Sequence, residues 1–360
     1  MNVPKLRFKE FTDEWQKKTL KSVSSYFKSG KSIKSNDILK NAPYPVYGGN
    51  GLRGYTNTFN FDGNASLIGR QGALCGNVTY VKGKNYMTEH AVIVQSNYDN
   101  YNKFLFYILL SMNLNQYSTQ SAQPGLSVNN LLELFNYFPN IQEQEKIAKF
   151  LTTVDKKITN LENTITSLEN QKKGLLQQIF SQKLRFKDKN GNNYPNWEKK
   201  KLGDTLLIQR GGSPRPISDY ITNDKNGLNW IKIGDCSPNS NIITSTKEKI
   251  KPEGLSKTRE VFIGDLILSN SMSFGRPYIL NINGCIHDGW LLLRNTKKIY
   301  NLQFLCYILG SEYTTKQYKK LASGSTVNNL NIELVSSVDI TIPCLEEQTK
   351  IADFLSAFDR

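Results

Sequence analysis

The two histidines are the first candidates for chemistry, because histidine most readily exchanges a proton near neutral pH. His90 stands in the stretch MTEHAVIV and His287 in CIHDGWLLL, each just before an apolar run. Each has a carboxylate neighbour, Glu89 or Asp288, that could help a general base or a metal ligand. With one histidine in each region and no cluster, a structural histidine at a strand edge is the better prediction. We therefore predict no catalytic residue and no metal ligand.

A second candidate is the stretch SYFKSGKS, Ser25 to Ser32, which nearly matches the phosphate-binding loop G-x-x-x-x-G-K-[ST]. Ser25 occupies the first position, where that loop has glycine, and no clear buried strand precedes it. A solvated basic turn is the better prediction. Because no G-x-G-x-x-G follows a predicted strand and no N-P-P-Y-type tetrapeptide occurs, the sequence predicts neither a cofactor cradle nor a nucleophile.

Small polar loops that carry arginine offer the chemistry of binding. Glycine lets the backbone approach a phosphate or a base edge closely. Arginine can make a bidentate contact with guanine, and asparagine or glutamine can do so with adenine. Four loops have this composition: GGNGLRG, IGRQGALCGN, QRGGSPRP and SNSMSFGRP. The candidate contact residues in them are Asn50, Arg53, Arg70, Gln71, Arg210, Ser213, Arg215, Ser273 and Arg276.

For any one of these residues, a turn glycine beside a solvated arginine is the better explanation, but the set as a whole favours binding. Lysine-rich stretches such as KSGKSIK, KEKIKPEG and KQYKK are typical of sequence-independent phosphate contacts, or of solubility alone.

The overall charge favours an anionic partner. The 360 residues include 46 Lys and Arg against 31 Asp and Glu, a net charge of +15, and the pI is about 9.4. Nucleic acid and a membrane surface are the two partners that such a charge suggests. No window approaches the ~18 apolar residues of a membrane-spanning helix, and the start lacks the apolar region of a signal peptide. We therefore expect no membrane partner and a cytoplasmic location.

Length and composition predict a folded protein of roughly two to three domains. Hydrophobic residues make up 38% of the chain, with 17 Phe and 18 Tyr, which excludes global disorder. The five cysteines are odd in number and scattered, and no two form a C-x-x-C pair. A disulfide framework and a zinc ribbon are both disfavoured, as expected for a soluble, reduced, intracellular protein.

The chain repeats itself, and the repeat places the arginine loops in two modules. The letters LRFK at Leu6 return at Leu184, and a tryptophan and then a leucine follow both copies. Further pairs are KFLFYILLS with QFLCYILGS, SVNNL with TVNNL, and FPNIQEQEKIAKFLTTVDKK with IPCLEEQTKIADFLSAFDR. The middle of the second copy is longer, and the two middles barely resemble one another. Two modules therefore share a frame and differ in content.

Within each module, short β-branched or aromatic runs alternate with Gly/Asn/Ser turns. The runs are NVTYVKGKNYM, HAVIVQS, NWIKIGD, REVFIGDLILSN and WLLLRN. A helix is predicted around residues 104–110 in the first module and 304–309 in the second. We predict an α+β fold with two similar globules in tandem, joined by one long helix of the coiled-coil type.

The segment between the modules predicts that helix. From Gln142 to Gln182 there is no proline, and the only glycine is Gly174. Six apolar residues at spacings of three, four and seven follow the a and d positions of a coiled coil, with Lys172 at one a position. Such a helix is roughly 60 Å long and needs a partner helix, although an ordinary amphipathic surface helix is the alternative. The six residues are Ile158, Leu161, Ile165, Leu168, Leu175 and Ile179.

This organisation resembles the specificity subunit of type I restriction–modification enzymes. The motif that carries the resemblance is the ending P-x-x-x-EQ-x-KIA-x-FL-x-x-x-D, which closes both modules, and the resemblance covers the whole chain. The first copy consists of Pro139, Glu143, Gln144, Lys146, Ile147, Phe150, Leu151 and Asp155, and the second of Pro343, Glu347, Gln348, Lys350, Ile351, Phe354, Leu355 and Asp359.

The resemblance implies that each variable module is a target recognition domain for one half of a bipartite, asymmetric site in double-stranded DNA. It implies a chain that is not an enzyme, holds no cofactor and assembles with two methyltransferase subunits and with translocase–nuclease subunits. S-adenosylmethionine, ATP and magnesium would belong to those partners. The implied bounds are 1–141 and 184–345 for the recognition domains, 142–183 for the spacer helix and 346–360 for the start of a second helix.

The chain departs from the family plan after Asp359, where only Arg360 follows and the family expects a second long helix antiparallel to the first. Without that helix the stripe from Ile158 to Ile179 has no partner within the chain, and so much exposed apolar surface is unfavourable. We expect that the chain is truncated, or that another copy or a methyltransferase subunit supplies the helix.

Two other functions stay open at this point. A stand-alone DNA methyltransferase or nuclease that uses His90 or His287 would act on DNA without added subunits. A coiled-coil interaction protein with incidental basic charge would bind DNA without sequence preference at any salt concentration. A bipartite reader would instead recognise half-sites about 10 bp apart.

Overall fold

The structure is a computed structural model that describes residues 4–72, 74–118, 124–237, 240–270, 275–322 and 329–359. The chain divides into two compact units, residues 1–161 and 162–360. Both units combine helices with sheets, which confirms the predicted α+β fold and the tandem arrangement.

Unit 1 contains two four-stranded sheets and one two-stranded sheet among its described residues. Its strands are β1 (Gln16–Thr19), β2 (Ser24–Ser29), β3 (Tyr44–Gly48), β4 (Gly51–Thr56), β5 (Phe61–Asp62), β6 (Ala65–Gly69), β7 (Val78–Val81), β8 (Lys84–Met87), β9 (Ala91–Ser96) and β10 (Phe135–Phe138). Its helices are α1 (Leu20–Val23), α2 (Asn102–Ser111), α3 (Val128–Glu133) and the first half of α4 (Ile141–Phe180). The larger sheets have the orders β2-β9-β6-β7 and β4-β3-β8-β5, and β1 pairs with β10.

Unit 2 contains two five-stranded sheets and one two-stranded sheet among its described residues. Its strands are β11 (Glu198–Lys201), β12 (Leu207–Arg210), β13 (Ile221–Thr222), β14 (Leu228–Ile231), β15 (Ile242–Ile243), β16 (Glu248–Ile250), β17 (Arg259–Val261), β18 (Leu266–Ser269), β19 (Pro277–Leu280), β20 (Gly284–Ile286), β21 (Trp290–Arg294) and β22 (Asp339–Ile342). Its helices are the end of α4, α5 (Leu202–Thr205), α6 (Leu302–Gly310), α7 (Glu312–Ala322), α8 (Ile332–Ser336) and α9 (Leu345–Ser356). The larger sheets have the orders β12-β21-β18-β19-β15 and β13-β16-β14-β20-β17, and β11 pairs with β22.

The two units share one sheet plan. The order β12-β21-β18-β19 repeats β2-β9-β6-β7, and β16-β14-β20-β17 repeats β4-β3-β8-β5. In both units the central pair of the second sheet, β3 with β8 or β14 with β20, runs parallel. Unit 2 adds β15 to the edge of one sheet and β13 to the edge of the other, so its longer middle includes two edge strands.

The central strands are apolar on both faces, because each face of their sheet is covered. In β6, Ile68 packs in a core cluster with Phe104 of α2, whereas Leu67 packs in a second cluster with Met87 of the neighbouring sheet. The alternation of side chains along a strand explains this division. Helix α2 thus covers one face of the sheet, and the second sheet covers the other.

A buried ion pair, here called the clasp, ties the beginning of unit 1 to the start of α4. Arg7 donates from Nε and Nη2 to the two carboxylate oxygens of Glu143, both at 2.7 Å, and Trp15 Nε1 donates to the same group at 3.3 Å. The Glu143 side chain is fully buried, and its hydrogen bond raises the pKa of Arg7. The bidentate geometry satisfies a buried charge that would otherwise destabilise the fold.

Unit 2 repeats the clasp. Arg185 donates to Glu347 at 2.8 and 2.9 Å, and Trp197 Nε1 donates to Glu347 at 3.1 Å. The arginine of LRFK, the following tryptophan and the glutamate of EQ are therefore explained by one internal contact. The glutamines of both endings also form hydrogen bonds within their units. Gln144 accepts from the Tyr101 N–H, and Gln348 accepts from the Asn301 N–H.

Helix α4 covers residues 141–180 without interruption, which confirms the single helix predicted from the sequence. The expectation that its apolar stripe lacks a partner throughout is wrong at the C-terminal end. Ile179 is fully buried and Leu175 half-buried, and Phe180 meets Phe304 edge to face at 5.9 Å. Lys172, the lysine at an a position, forms an ion pair with Asp359. The four residues from Ile158 to Leu168 on the stripe remain 45–56% exposed.

The five-letter echo SVNNL/TVNNL does not mark equivalent positions. Leu126 N–H donates to the Arg70 carbonyl at 2.9 Å, and Leu330 N–H donates to the Asn270 carbonyl at 3.0 Å. Leu330 is therefore the counterpart of Leu126, whereas the sequence echo pairs it with Leu131 inside α3. Residues 326–328 lie outside the described residues.

Candidate nucleic-acid interface

A concave surface of unit 1 collects three of the predicted contact residues. Asn50, Arg53 and Gln71 line one cavity of about 350 Å³, together with Gly49, Gly72 and His90. Asn50 belongs to the turn between β3 and β4, Arg53 lies in β4, and Gln71 follows β6. Asn50, Arg53 and Gln71 are exposed.

Glycine is required where the two loops of this cavity meet. A Cβ atom on Gly69 would lie 2.1 Å from the Gly49 carbonyl oxygen, and one on Gly48 would lie 2.6 Å from Cδ of Arg53. The backbone of the β3–β4 turn therefore approaches the end of β6 more closely than any side chain permits. This approach brings Asn50 and Gln71 to the same cavity.

Arg70 faces the fold, although the sequence grouped it with the contact residues. Its Nε donates to the Leu126 carbonyl at 3.2 Å, and its Nη1 donates to Ser29 Oγ at 3.4 Å. The side chain is half-buried. Arg70 thus fastens the segment before α3 to β2, and it positions the neighbouring Gln71.

In unit 2, two predicted residues meet at a carboxylate that the sequence considered only as a partner for histidine. Ser213 Oγ donates to Asp288 Oδ1 at 2.9 Å, and Arg215 Nη2 lies 3.6 Å from Asp288 Oδ2. The Arg215 side chain is 77% exposed and that of Asp288 is 48% exposed. Arg210 is also exposed at the end of β12.

The remaining predicted residues of unit 2 lie around the loop that follows β18. The Arg276 guanidinium lies over the Tyr278 ring, 5.2 Å from its centroid, which is a cation–π geometry. The Arg276 backbone N–H donates to Ser269 Oγ at 2.9 Å. Ser273 lies outside the described residues.

The two histidines are not equivalent. The side chain of His287 is 18% exposed, its Nδ1 accepts the Gly289 N–H at 2.7 Å, and burial lowers its pKa. This is the environment of a structural histidine. His90 is 40% exposed and lines the cavity of unit 1, so it belongs to the candidate interface. The sequence feature that could have indicated this role for His90 is its position between the loop IGRQGALCGN and β9.

The near-match to a phosphate-binding loop forms a strand, so the prediction of a solvated basic turn is wrong for its first half. Ser25 to Ser29 belong to β2, Gly30 N–H donates to the Ala91 carbonyl, and Lys31 N–H donates to the Met87 carbonyl. These backbone groups pair with other strands or loops and do not cradle a phosphate.

In the part of the chain that the structure describes, no cluster has three or more His, Cys, Asp or Glu side chains placed to hold a metal. The five cysteines are free thiols. None of the described helices is both long and apolar enough to span a membrane.

Known proteins show the same organisation. The profile of the type I restriction modification DNA specificity domain matches residues 12–170 and again residues 194–360. The type I restriction enzyme EcoprrI specificity subunit of Escherichia coli is 44% identical over 154 residues, which are 42% of this chain and 38% of that protein. The type I restriction enzyme MjaVIII specificity subunit of Methanocaldococcus jannaschii is 26% identical over 235 residues, 61% of this chain and 54% of that protein.

The aligned part thus spans roughly half or less of the length of these two relatives. The solved S subunit of the type I restriction-modification system from M. genitalium shares the fold, with a TM-score of 0.69 at 17% identity over 99% of this chain and 92% of that one. Because the family profile matches twice and covers most of the sequence, this chain belongs to the type I restriction modification DNA specificity domain family.

Proposed function

We propose that this chain is the non-catalytic DNA-reading subunit of a type I restriction–modification complex and acts in the cytoplasm. Residues 1–141 read one half of a bipartite site and residues 184–345 read the other, with their arginine-bearing loops in the major groove. The observation that carries the proposal is the cavity of unit 1. Asn50, Arg53 and Gln71, three side chain types suited to base edges, converge there on one concave surface.

Unit 2 presents its arginines differently. Asp288 holds Arg215 at 3.6 Å and leaves most of its side chain exposed, so the guanidinium can still reach a base edge. Arg276 lies over an aromatic ring, which reduces the conformational freedom that it loses on binding. Different loops on one frame are what two readers of different sequences require.

The spacer between the half-sites is residues 142–183, which helix α4 covers as far as Phe180. Its exposed stripe of Ile158, Leu161, Ile165 and Leu168 supports a partner helix there, since four large apolar side chains in one row are unfavourable in water. Deleting one heptad from this stretch should change the length of the unread DNA between the half-sites and leave both half-sites intact. An unchanged spacer length would refute this role.

The partners follow from the family. Two methyltransferase subunits dock through the helices, translocase–nuclease subunits complete the complex, and these partners carry S-adenosylmethionine, ATP and magnesium. Both relatives are specificity subunits, which supports a chain without chemistry of its own.

The test is to map methylated DNA in cells that express this chain with its methyltransferase partner. We expect a bipartite, asymmetric site with an unread spacer of about one DNA turn. Methylation without sequence preference would refute the proposal. Cleavage or methylation of plasmid DNA by the pure chain, with magnesium and S-adenosylmethionine, would favour the stand-alone enzyme instead.

A further inference from the structure

One acidic residue occupies the same backbone position in both units, beside the predicted contact residues. It is Glu89 in the turn before β9 and Asp288 in the turn before β21. The residue after each acid shows that the two positions are equivalent. The N–H of Arg70, just after β6, donates to the His90 carbonyl at 2.9 Å, and the N–H of Asn270, just after β18, donates to the Gly289 carbonyl at 3.0 Å.

The turns themselves close in the same way. Ala91 N–H donates to the Thr88 carbonyl at 3.0 Å, and Trp290 N–H donates to the His287 carbonyl at 3.1 Å. The flanking residues thus correspond on both sides, and the acid lies between them in both units. The loops around the acid differ between the two units, whereas an acidic residue is present in both.

Asp288 is held as a carboxylate. Burial alone would raise its pKa, but the hydrogen bond from Ser213 and the neighbouring His287 and Arg215 outweigh it, so the pKa is lowered overall. An ionised carboxylate only accepts hydrogen bonds. Its side chain is 48% exposed, so a partner from outside can still approach it.

Glu89 has a comparable setting. Its Oε1 lies 3.5 Å from Nε2 of His90, which lines the cavity with Arg53 and Gln71. Its Oε2 is a buried oxygen without a hydrogen-bond partner among the described residues, although the side chain as a whole is 45% exposed. Glu89 thus places a partly exposed carboxylate next to a residue that lines the cavity.

A carboxylate on a DNA-facing surface is a selective element. Phosphates, guanine O6 and N7, adenine N7 and thymine O4 are acceptors, and they repel it. The donors that the major groove offers are the amino groups of cytosine and adenine. Such a carboxylate therefore binds favourably only where one of these amino groups faces it, and it rejects other sequences by unpaired charge.

We propose that Glu89 and Asp288 are specificity-determining residues, each accepting a hydrogen bond from a base amino group, cytosine N4 or adenine N6, in its own half-site. This inference rests on the proposed function, because both turns must face DNA. The arginines then supply attraction to the correct bases, and the two carboxylates supply rejection of the incorrect ones.

The test uses the full chain assembled with its methyltransferase partner. Duplexes randomised over both half-sites are selected by the wild type and by the variants Glu89→Gln and Asp288→Asn, and the bound pools are sequenced. Each variant keeps the shape of the side chain but adds a donor. We expect each to lose roughly 10- to 100-fold of discrimination at one base pair, in the first half-site for E89Q and in the second for D288N.

Exposed carboxylates elsewhere provide matched controls. Glu14→Gln in unit 1 and Asp353→Asn on α9 remove the same charge from exposed side chains, and both should keep the wild-type preferences. If E89Q and D288N also keep every preference, or only bind all duplexes more tightly as the controls do, the inference is overturned. A wild type without any preferred sequence would instead refute the proposed function.

Thermal melting separates recognition from folding. Asp288 also accepts from Ser213, so D288N removes an acceptor that unit 2 uses, whereas the side chain of Glu89 has one polar contact among the described residues, with the half-exposed His90. E89Q is therefore the deciding variant. An E89Q protein that melts like the wild type and selects the same first half-site would refute the assignment.

Discussion

The clasp and the arginine loops use the same residue type for opposite purposes. Arg7 and Arg185 each form an ion pair with a fully buried glutamate, and both the arginine and the glutamate occur in each copy of the repeat. Arg53, in β4, and Arg215, in the segment after β12, are exposed in stretches of sequence that the two copies do not share. The comparison teaches that repetition in this chain marks what holds the frame together, whereas variation marks what is offered to a partner.

Burial decides which of the two roles an arginine has. In each clasp, two N–H groups meet two carboxylate oxygens at 2.7–2.9 Å while a tryptophan N–H caps the pair. Both glutamates are fully buried, so neither is available to DNA. Arg53 and Arg215 remain exposed, so sequence-specific effects should follow their substitution, whereas stability effects should follow substitutions in the clasp.

The largest effect should come from breaking a clasp. Glu347→Ala leaves Arg185 and the Trp197 N–H without their shared acceptor, and the loss of one partner of a buried pair costs about 3–5 kcal/mol. We expect this loss in the free energy of unfolding measured by chemical denaturation. Asp353→Ala is the matched control, because Asp353 is exposed on the same helix, α9, and its loss should cost less than about 1 kcal/mol. Equal losses would contradict the structural role of the clasp.

A second test concerns Gly69, where the end of β6 contacts the β3–β4 turn. Gly69→Ala places a methyl group against the Gly49 carbonyl, and the resulting backbone shift should cost about 1–3 kcal/mol and distort the cavity. We expect the preference for the first half-site to be lost and that for the second to survive, as read by methylation mapping. Gly174→Ala is the control: its Cβ meets nothing within 4 Å, and it should be neutral or stabilising. A G69A protein with both preferences intact would show that the cavity does not read DNA.

A third test sharpens the contrast within the loops. Arg53→Ala should lose about 1–3 kcal/mol of discrimination at one base pair of the first half-site, and Arg215→Ala the same in the second. Lys34→Ala, at an exposed lysine of unit 1, should weaken binding to all duplexes alike. Competition binding with single-base-pair changes measures both. If R53A weakened every duplex equally, Arg53 would be a phosphate contact.

The smallest effect concerns the two histidines. Burial lowers the pKa of His287, so the unfolded chain binds more protons than the folded one as the pH falls through the ordinary range of histidine. The stability of unit 2 should therefore decrease between about pH 7 and pH 5.5. His287→Asn should flatten this decrease, whereas His90→Gln, at a more exposed ring, should retain it. Denaturation at several pH values checks the difference, and an unchanged slope in H287N would argue against a buried neutral ring.

Much of the frame follows from sequence because it rests on local periodicity and repetition. The heptad spacing predicts α4, and the two copies of the ending predict the two units. The prediction failed where a short match had no periodic support. Leu131 and Leu330 both end the four letters VNNL, but they do not occupy equivalent positions, because hydrogen bonds to the residues after β6 and β18 set the register.

The candidate interface was less predictable, because it depends on which way side chains turn. Composition selected Arg53 and Gln71, which line the cavity, but also Arg70, whose side chain faces inward. Asp288 was noted only as a neighbour of a histidine. Its position opposite Ser213 depends on a fold that joins segments 75 residues apart, and no local pattern carries that information.

The clasp also affects how far the two modules can differ. It joins residues that are 136 positions apart in unit 1 and 162 positions apart in unit 2. The two ends of each module are therefore held together by the same contact, although the segments between them differ in length. The sequence and the length of the middle can therefore differ between the two modules while the contacts that close each module stay the same.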